Sequence, residues 1–433
     1  MPDESRFLQR LRSAGERFGL ALTDLTLTQQ LILFGVLVGL AAGLSAYAFD
    51  SLIVLATRLS LANLDQAALP WRIAGLLLLP AAGAFFGAAL IRRFCPEAKG
   101  HGVNEVLEAI SKKDGAIRSR VAWVKSAASA LTIGLGGSAG REGPVIQIGA
   151  AAGSWVGRRL RVSAGELKVL AAAGASAGLA AAFGTPLAAV FFTMEVVLKD
   201  LASESFAGVV IASVTAVATA RFLLGSGRFM VPLNYTWNGP LDFVLYGALG
   251  LLCGPMGSLY MRCLHGVERW TEGQTRLGRF APAAGGVFVG LIAIFLPHVL
   301  GTGQATINAA LTGTISGPRA GALALAKVAA TSATLGTGGS GGALMPSLFI
   351  GATAGAAWGS FFQFLFGPGI QYGAFALVGM ACAFTGAFQA PVTAMIFALE
   401  VSQDYDILLP VMFACVVAYL TTRRRREAPT IEQ

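Results

Sequence analysis

Residues 125–157 read KSAASALTIGLGGSAGREGPVIQIGAAAGSWVG, two apolar runs of small residues that meet at Gly140-Arg141-Glu142-Gly143-Pro144. The glycines Gly134, Gly136, Gly137 and Gly140 end the first run as a helix. Pro144 suits the first turn of a second, because its ring fixes φ and it brings no N–H that would go unpaired there. The second helix therefore opens at Glu142. The first amides of a helix have no intrahelical partner and sit at the positive end of its dipole, so the break forms a site for an anion. Glu142 is itself an anion. Its carboxylate can fill that site, and when protonated or swung aside it leaves the site to a dissolved ion.

The pattern returns at 327–359 as KVAATSATLGTGGSGGALMPSLFIGATAGAAWG, with Pro144 and Pro346 separated by 346 − 144 = 202 and no gap between the copies. About half of the aligned positions are identical, which marks an internal repeat. Ala343-Leu344 stand where the first copy has Arg141-Glu142. One copy thus offers amides with a carboxylate, the other amides alone. Two broken helices aiming their N-termini at one mid-membrane point is how repeat-built transporters hold anionic groups. A second matched pair, PLAAVFFTMEV from Pro186 and PVTAMIFALEV from Pro391, reaches Glu195 and Glu400 nine residues on. A shared position predicts a shared structural job, such as satisfying the end of a neighbouring broken helix. Proton carriage by Glu195 is the alternative.

The chain has 433 residues, of which 55% are hydrophobic and 13% charged, too apolar for a soluble domain. It reads as an all-α polytopic membrane protein. Several apolar runs, such as 121–135, 187–198 and 392–401, are shorter than the ~20 residues that cross a bilayer. Short, Gly/Pro-interrupted segments at matching places in two halves point to a binding site. A net charge of +9 would suit nucleic acid, but the basic residues gather at Arg6, Arg10, Arg12 and Arg17, at Arg158-Arg159, and from Arg423 to Arg426. That is the positive-inside pattern, with both termini cytoplasmic and no nucleic-acid partner. The organisation expected is a cytoplasmic amphipathic helix in 1–28, membrane repeats in 29–225 and 241–421, a polar linker in 226–240 and a basic cytoplasmic tail in 422–433. Whether the halves run parallel or inverted is left open by the residues themselves. Five scattered cysteines give neither a disulfide framework nor a metal site, and no metal, cofactor or catalytic set is expected.

GSAGREGP at 137–144, GGALMPSLF at 341–349, GHGVNEV at 100–106 and the PLAAVFFTMEV/PVTAMIFALEV pair together resemble the CLC family of chloride channels and chloride/proton antiporters. The resemblance covers nearly the whole chain in order. It implies a CLC-type fold, two inverted halves with about eighteen broken and tilted helices, in a homodimer within the inner membrane of a prokaryote. It further implies transport of chloride or a similar small anion, as a channel or as a chloride/proton antiporter, with Glu142 as the external gating glutamate. By the same resemblance Ala343 and Leu344 face the central anion, and Gly100-His101-Gly102 matches a loop that supplies a serine hydroxyl in many members. The anion-binding positions are then Gly100, His101, Gly102, Arg141, Gly143, Ala343 and Leu344. The chain departs from the family at three places. His101 replaces the serine, Val196 replaces the internal proton-transfer glutamate, and no tyrosine follows the last span, where Thr430-Ile431-Glu432 is the nearest match. The altered serine position also keeps a fluoride/proton antiporter open.

Other residues carry plainer expectations. Lys125 and Lys327 are repeat mates and are expected to snorkel to an interface. Ser138 and Ser340 are expected to let helices pack closely, and Arg141 to pair with a carboxylate or face a vestibule. Gly174-Ala175-Ser176-Ala177-Gly178 fits the GxSxG pattern of serine hydrolases, a function of another class, but lies in a Gly/Ala-rich helix with no strand before it.

Overall fold

A computed structural model describes residues 27–423, apart from 63, 65, 200–202, 226–229, 231–234, 236–238, 274–277, 316 and 368–370. The helix expected in 1–28, most of the linker and all but the start of the basic tail, with Thr430 to Glu432, lie outside the described residues. The first half comprises α1 Leu27–Ser60, α2 Leu69–Phe94, α3 Val103–Lys112, α4 Ser119–Gly134, α5 Glu142–Leu160, α6 Ala164–Phe183, α7 Pro186–Phe192 and α8 Ser203–Leu224. The second comprises α9 Leu241–Glu272, α10 Ala281–Phe295, α11 Gln304–Leu311, α12 Gly317–Gly336, α13 Leu344–Phe366, α14 Tyr372–Phe388, α15 Pro391–Ser402 and α16 Leu408–Thr422. Single 3₁₀ turns at Pro96–Ala98 and Pro297–Val299 precede α3 and α11, and a π turn, Thr193–Leu198, extends α7.

The helix breaks obey the register of the repeat. α4 and α12 end 202 residues apart (336 − 134), and α5 and α13 open 202 apart (344 − 142). By α7 and α15 the offset is 205 (391 − 186), the extra residues entering around the α13–α14 connection. Six helices among the described residues are long and apolar enough to cross a bilayer, and five more are apolar but run only 10–17 residues. Large side chains such as Trp123, Phe222, Phe295 and Phe364 stand exposed on the outside, as lipid-facing residues do.

Inside, the helices meet through small residues. A Cβ on Gly149 or Gly153 of α5 would run into the backbone of α6 at Gly174 and Leu170. One on Gly351 or Gly355 of α13 would run into α14 at Gly379 and Phe375. Lipid supplies no hydrophobic drive between helices, so close backbone approach is what holds them. The GxSxG segment belongs to this packing: it lies within α6, and the fully buried Ser176 Oγ sits 2.7 Å from Ser213 Oγ of α8. That serine packs α6 against α8, and its hydroxyl is engaged by Ser213.

Each half caps the other. Glu400 of α15 accepts from the backbone N–H of Leu187 (2.9 Å) and Ala188 (2.7 Å) at the start of α7. Glu195, in the π turn after α7, accepts from Val392 N (3.3 Å), Thr393 N (2.9 Å) and Thr393 Oγ1 (2.7 Å) at the start of α15. Both helices begin with proline, whose neighbours' amides lack intrahelical partners, and a carboxylate from the opposite repeat satisfies them. Glu195→Ala and Glu400→Ala are each expected to cost about 1–3 kcal/mol, read as a lowered Tm in detergent. Glu272→Ala, which removes only an exposed pair with Lys99, is expected to leave Tm unchanged.

Candidate functional site

The two broken-helix loops cross each other. Gly140 N donates to Gly342 O and Gly342 N to Gly140 O, both at 2.7 Å, an antiparallel bridge between repeat mates. Ser138 N donates to Thr334 Oγ1 (3.0 Å), and Ser138 Oγ lies 3.0 Å from Thr331 Oγ1. In the mirror arrangement, Ser340 N donates to Thr132 Oγ1 (3.2 Å), and Ser340 Oγ lies 2.8 Å from Ser129 Oγ. Each loop is thus fastened by the helix of the other repeat, and the serines are bonding groups as well as small ones. Mates that pair antiparallel with each other are related by a local two-fold axis through the crossing.

Beside this crossing, Glu142 opens α5 and Leu344 opens α13, with Arg141 and Ala343 as N-caps that make no side-chain cap bond. Both first turns lie against the crossing: a Cβ on Gly342 would meet Gly143 N, and one on Gly140 would meet Met345 Cβ. Glu142 is fully buried, and neither carboxylate oxygen has a hydrogen-bond partner among the described residues. Its own amide and that of Met345 act on it without reaching full hydrogen-bond geometry, and Arg141 Nε stands 3.9 Å from Oε1. The Arg141 guanidinium also pairs with Asp50 of α1 and donates to Ala182 O at 3.0 Å. It lines an open cavity of about 340 Å³ together with Asp50, Thr185, Arg221, Gln304 and Glu400. Arg141 therefore does both things expected of it. Its partner Asp50 escaped the sequence reading, although a lone carboxylate inside the apolar run 31–55 is itself a signal.

The loop before α3 reaches the same place. Gly100 and Gly102 take φ of +99° and +95°, values that side-chain-bearing residues disfavour. A Cβ on Gly143 would strike the carbonyl of His101, one on Gly102 the carbonyl of Gly143, and one on Gly342 the backbone of Gly143. Backbone contact at this density needs glycine on each side, and it gathers Gly100, His101, Gly102, Gly143 and Gly342 next to Glu142. Ala343 completes the wall, its carbonyl accepting from Tyr260 of α9 at 3.3 Å. Val196 and Glu195 are not part of this wall: Val196 packs in the apolar core, and Glu195 caps α15.

The lysines overturn the snorkelling expectation. Lys125 and Lys327 are fully buried. Lys125 Nζ donates to Ala98 O (3.0 Å) and Gly100 O (2.6 Å), and Lys327 Nζ to Val299 O and Gly301 O, both at 2.9 Å. Each ammonium ties down the carbonyls that end a 3₁₀ turn, and so fixes the loop that follows. For Lys125 that is the loop of His101, whose ring nitrogens are both buried without a hydrogen-bond partner among the described residues.

A family model described as "Voltage gated chloride channel" matches residues 82–423. The chain belongs to the CLC family of voltage-gated chloride channels. It is 31% identical over 360 residues to a putative chloride channel protein ClcB-like of Ralstonia nicotianae, covering 82% of this chain and 83% of that one. It is 31% identical over 405 residues to the H(+)/Cl(-) exchange transporter ClcA of Yersinia pseudotuberculosis, covering 90% and 84%. Among solved structures, a slow cyanobacterial Cl-/H+ antiporter superposes with TM-score 0.83 at 24% identity over 90% of this chain and 94% of that one. A CLC-type fluoride/proton antiporter superposes with TM-score 0.77, also at 24% identity, over 91% and 95%. These likenesses establish the fold of this CLC protein.

The site's backbone packing has a direct consequence. Gly143→Ala drives a methyl into the His101 carbonyl, and is expected to abolish anion transport and lower the yield of folded protein, checked by size-exclusion and flux assays. Gly165→Ala, whose added methyl meets nothing within 4 Å, is expected to preserve both.

Proposed function

We propose that this CLC protein carries chloride across the membrane through the point where α5 and α13 meet, with Glu142 and the anion competing for the same amides. One observation carries the reading: a fully buried carboxylate, without a hydrogen bond among the described residues, at the junction of two helix N-termini from opposite repeats. An ionised group in such a place is costly. A chloride ion offers the amides of Gly143, Ala343 and Leu344 the same negative charge in a smaller volume. When Glu142 is protonated its attraction to the helix dipoles falls, it leaves, and the anion enters. The cavity lined by Arg141 and Arg221, with Asp50 and Glu400, opens beside the site and gives it access to water. His101 and the backbone of Gly100 and Gly102 form the wall on the other side of Gly143.

The relatives named as H(+)/Cl(-) exchange transporters favour exchange, in which the proton that frees Glu142 crosses with it. Val196, in place of an internal carboxylate, favours a channel or loosely coupled exchange. The fluoride/proton antiporter is similar in fold alone. The proposal includes a homodimer in the inner membrane of a prokaryote, both termini cytoplasmic by the positive-inside rule, and repeats spanning 29–225 and 241–421.

Proteoliposomes under a chloride gradient separate these readings: protons driven uphill mean exchange, and sustained anion flux without them means a channel. Replacing chloride by fluoride in the same vesicles tests the selectivity. Glu142→Gln and Glu142→Ala are expected to keep anion flux while losing its rise on acidification and any proton coupling. Flux that kept its pH dependence in both variants would remove Glu142 from the mechanism.

A further inference from the structure

We propose that His101 and Glu268 form a proton-loading station for Glu142, on the face of the protein where α2 and α9 end. The face is defined by two contacts: Lys99, just after α2, pairs with Glu272 at the end of α9 at 2.8 Å, and Arg92 of α2 donates to Arg279 O before α10 at 3.4 Å. A helix of 26 residues at about 1.5 Å per residue places this face far from the start of α2. There the His101 ring is nine-tenths buried and both its nitrogens lack a hydrogen-bond partner among the described residues. Its Nε2 stands 3.8 Å from Glu268 Oε2, too long for a hydrogen bond and short enough for a side-chain rotation to close. Glu268 is 30% exposed and so reaches water. The pair reaches solvent through Glu268, and the backbone of His101 lies against Gly143, the residue after Glu142.

The surrounding ionisable groups are otherwise engaged. Glu105 of α3 accepts from Gly102 N at 2.7 Å, and Lys125 of α4 is spent on Ala98 and Gly100. Lys99 pairs with Glu272, and together with His265 acts on Glu268 through space. Arg141, the N-cap of α5, pairs with Asp50, and Glu195 caps α15. A proton taken from water by the Glu268 carboxylate passes to His101 Nε2, restoring the carboxylate and forming imidazolium. The imidazolium then gives it to the Glu142 carboxylate when that group swings inward along the vacated anion path. One proton moves and nothing is oxidised.

The inference rests on the role given to Glu142 above, and the test separates the two. Full-length protein in liposomes is given a chloride gradient, and chloride and proton fluxes are recorded together. Glu268→Gln is expected to lower the proton-to-chloride ratio by roughly tenfold or more while chloride flux persists and still rises on acidification through Glu142, and His101→Asn to lower the ratio as far. Glu268→Asp is expected to keep most of the ratio. A ratio unchanged in both His101→Asn and Glu268→Gln overturns the station. So does a wild type that moves chloride without protons, which leaves the chloride pathway standing. A wild type with no chloride flux sinks the pathway itself. Where His101→Asn fails to fold, the partly exposed Glu268→Gln decides alone.

Discussion

A dissolved anion that enters a lipid-buried protein loses its water, and something must replace that water without binding the ion permanently. A full counter-charge would hold it too tightly and would itself be costly to bury. Helix N-termini avoid both difficulties, since their partial charges are fixed by the backbone and satisfied in every other respect by the helix. Two such ends have to point at one place, and the Gly140–Gly342 bridge with its serine and threonine bonds achieves that from both sides. The short, broken helices of this chain are what that requirement looks like in sequence.

Much of this is legible in the sequence, because an ungapped offset of 202 carries structural information twice over. The ends of α4 and α12 and the starts of α5 and α13 fall where glycine clusters and Pro144 or Pro346 place them. The capping role shared by Glu195 and Glu400 follows from the same logic. The contacts that were not legible are those in which side chains far apart in sequence meet. Asp50 lies 91 residues from Arg141, and periodicity says nothing about such pairs. The lysines were misread for a related reason. Snorkelling is the right expectation for a lone cation on a lipid-facing helix, but a 3₁₀ turn ending in free carbonyls sits beside each of these, and only the fold reveals it.

Rigidity and permissiveness are divided between backbone and side chains. The walls at Gly102, Gly143 and Gly342 have no room for even a methyl group, so the amides they carry are held in position before the ion arrives. Against that fixed frame the Glu142 side chain, whose oxygens have no hydrogen-bond partner among the described residues, is the group free to leave. A site that had to reorganise its dipoles for each ion would lose part of the binding energy to that reorganisation; this one moves a single carboxylate.

The repeat also offers a way to tell structural positions from functional ones within a single sequence. Where mates carry the same chemistry, they hold the scaffold: Lys125 and Lys327 tie loops, Ser138 and Ser340 cross-fasten, Glu195 and Glu400 cap. Three of the differences between mates fall around the crossing point: Glu142 against Leu344, Arg141 against Ala343, and His101 against Thr302 of the equivalent Gly301-Thr302-Gly303 loop. A two-fold scaffold with identical chemistry in both halves would present the same face to either side of the membrane. Glu142 and Arg141 in one repeat, against Leu344 and Ala343 in the other, make the two sides of the crossing unlike. Directional control of an ion by protons needs that inequality, and a duplicated fold acquires it through a few substitutions at the centre without disturbing the bonds that hold the halves together.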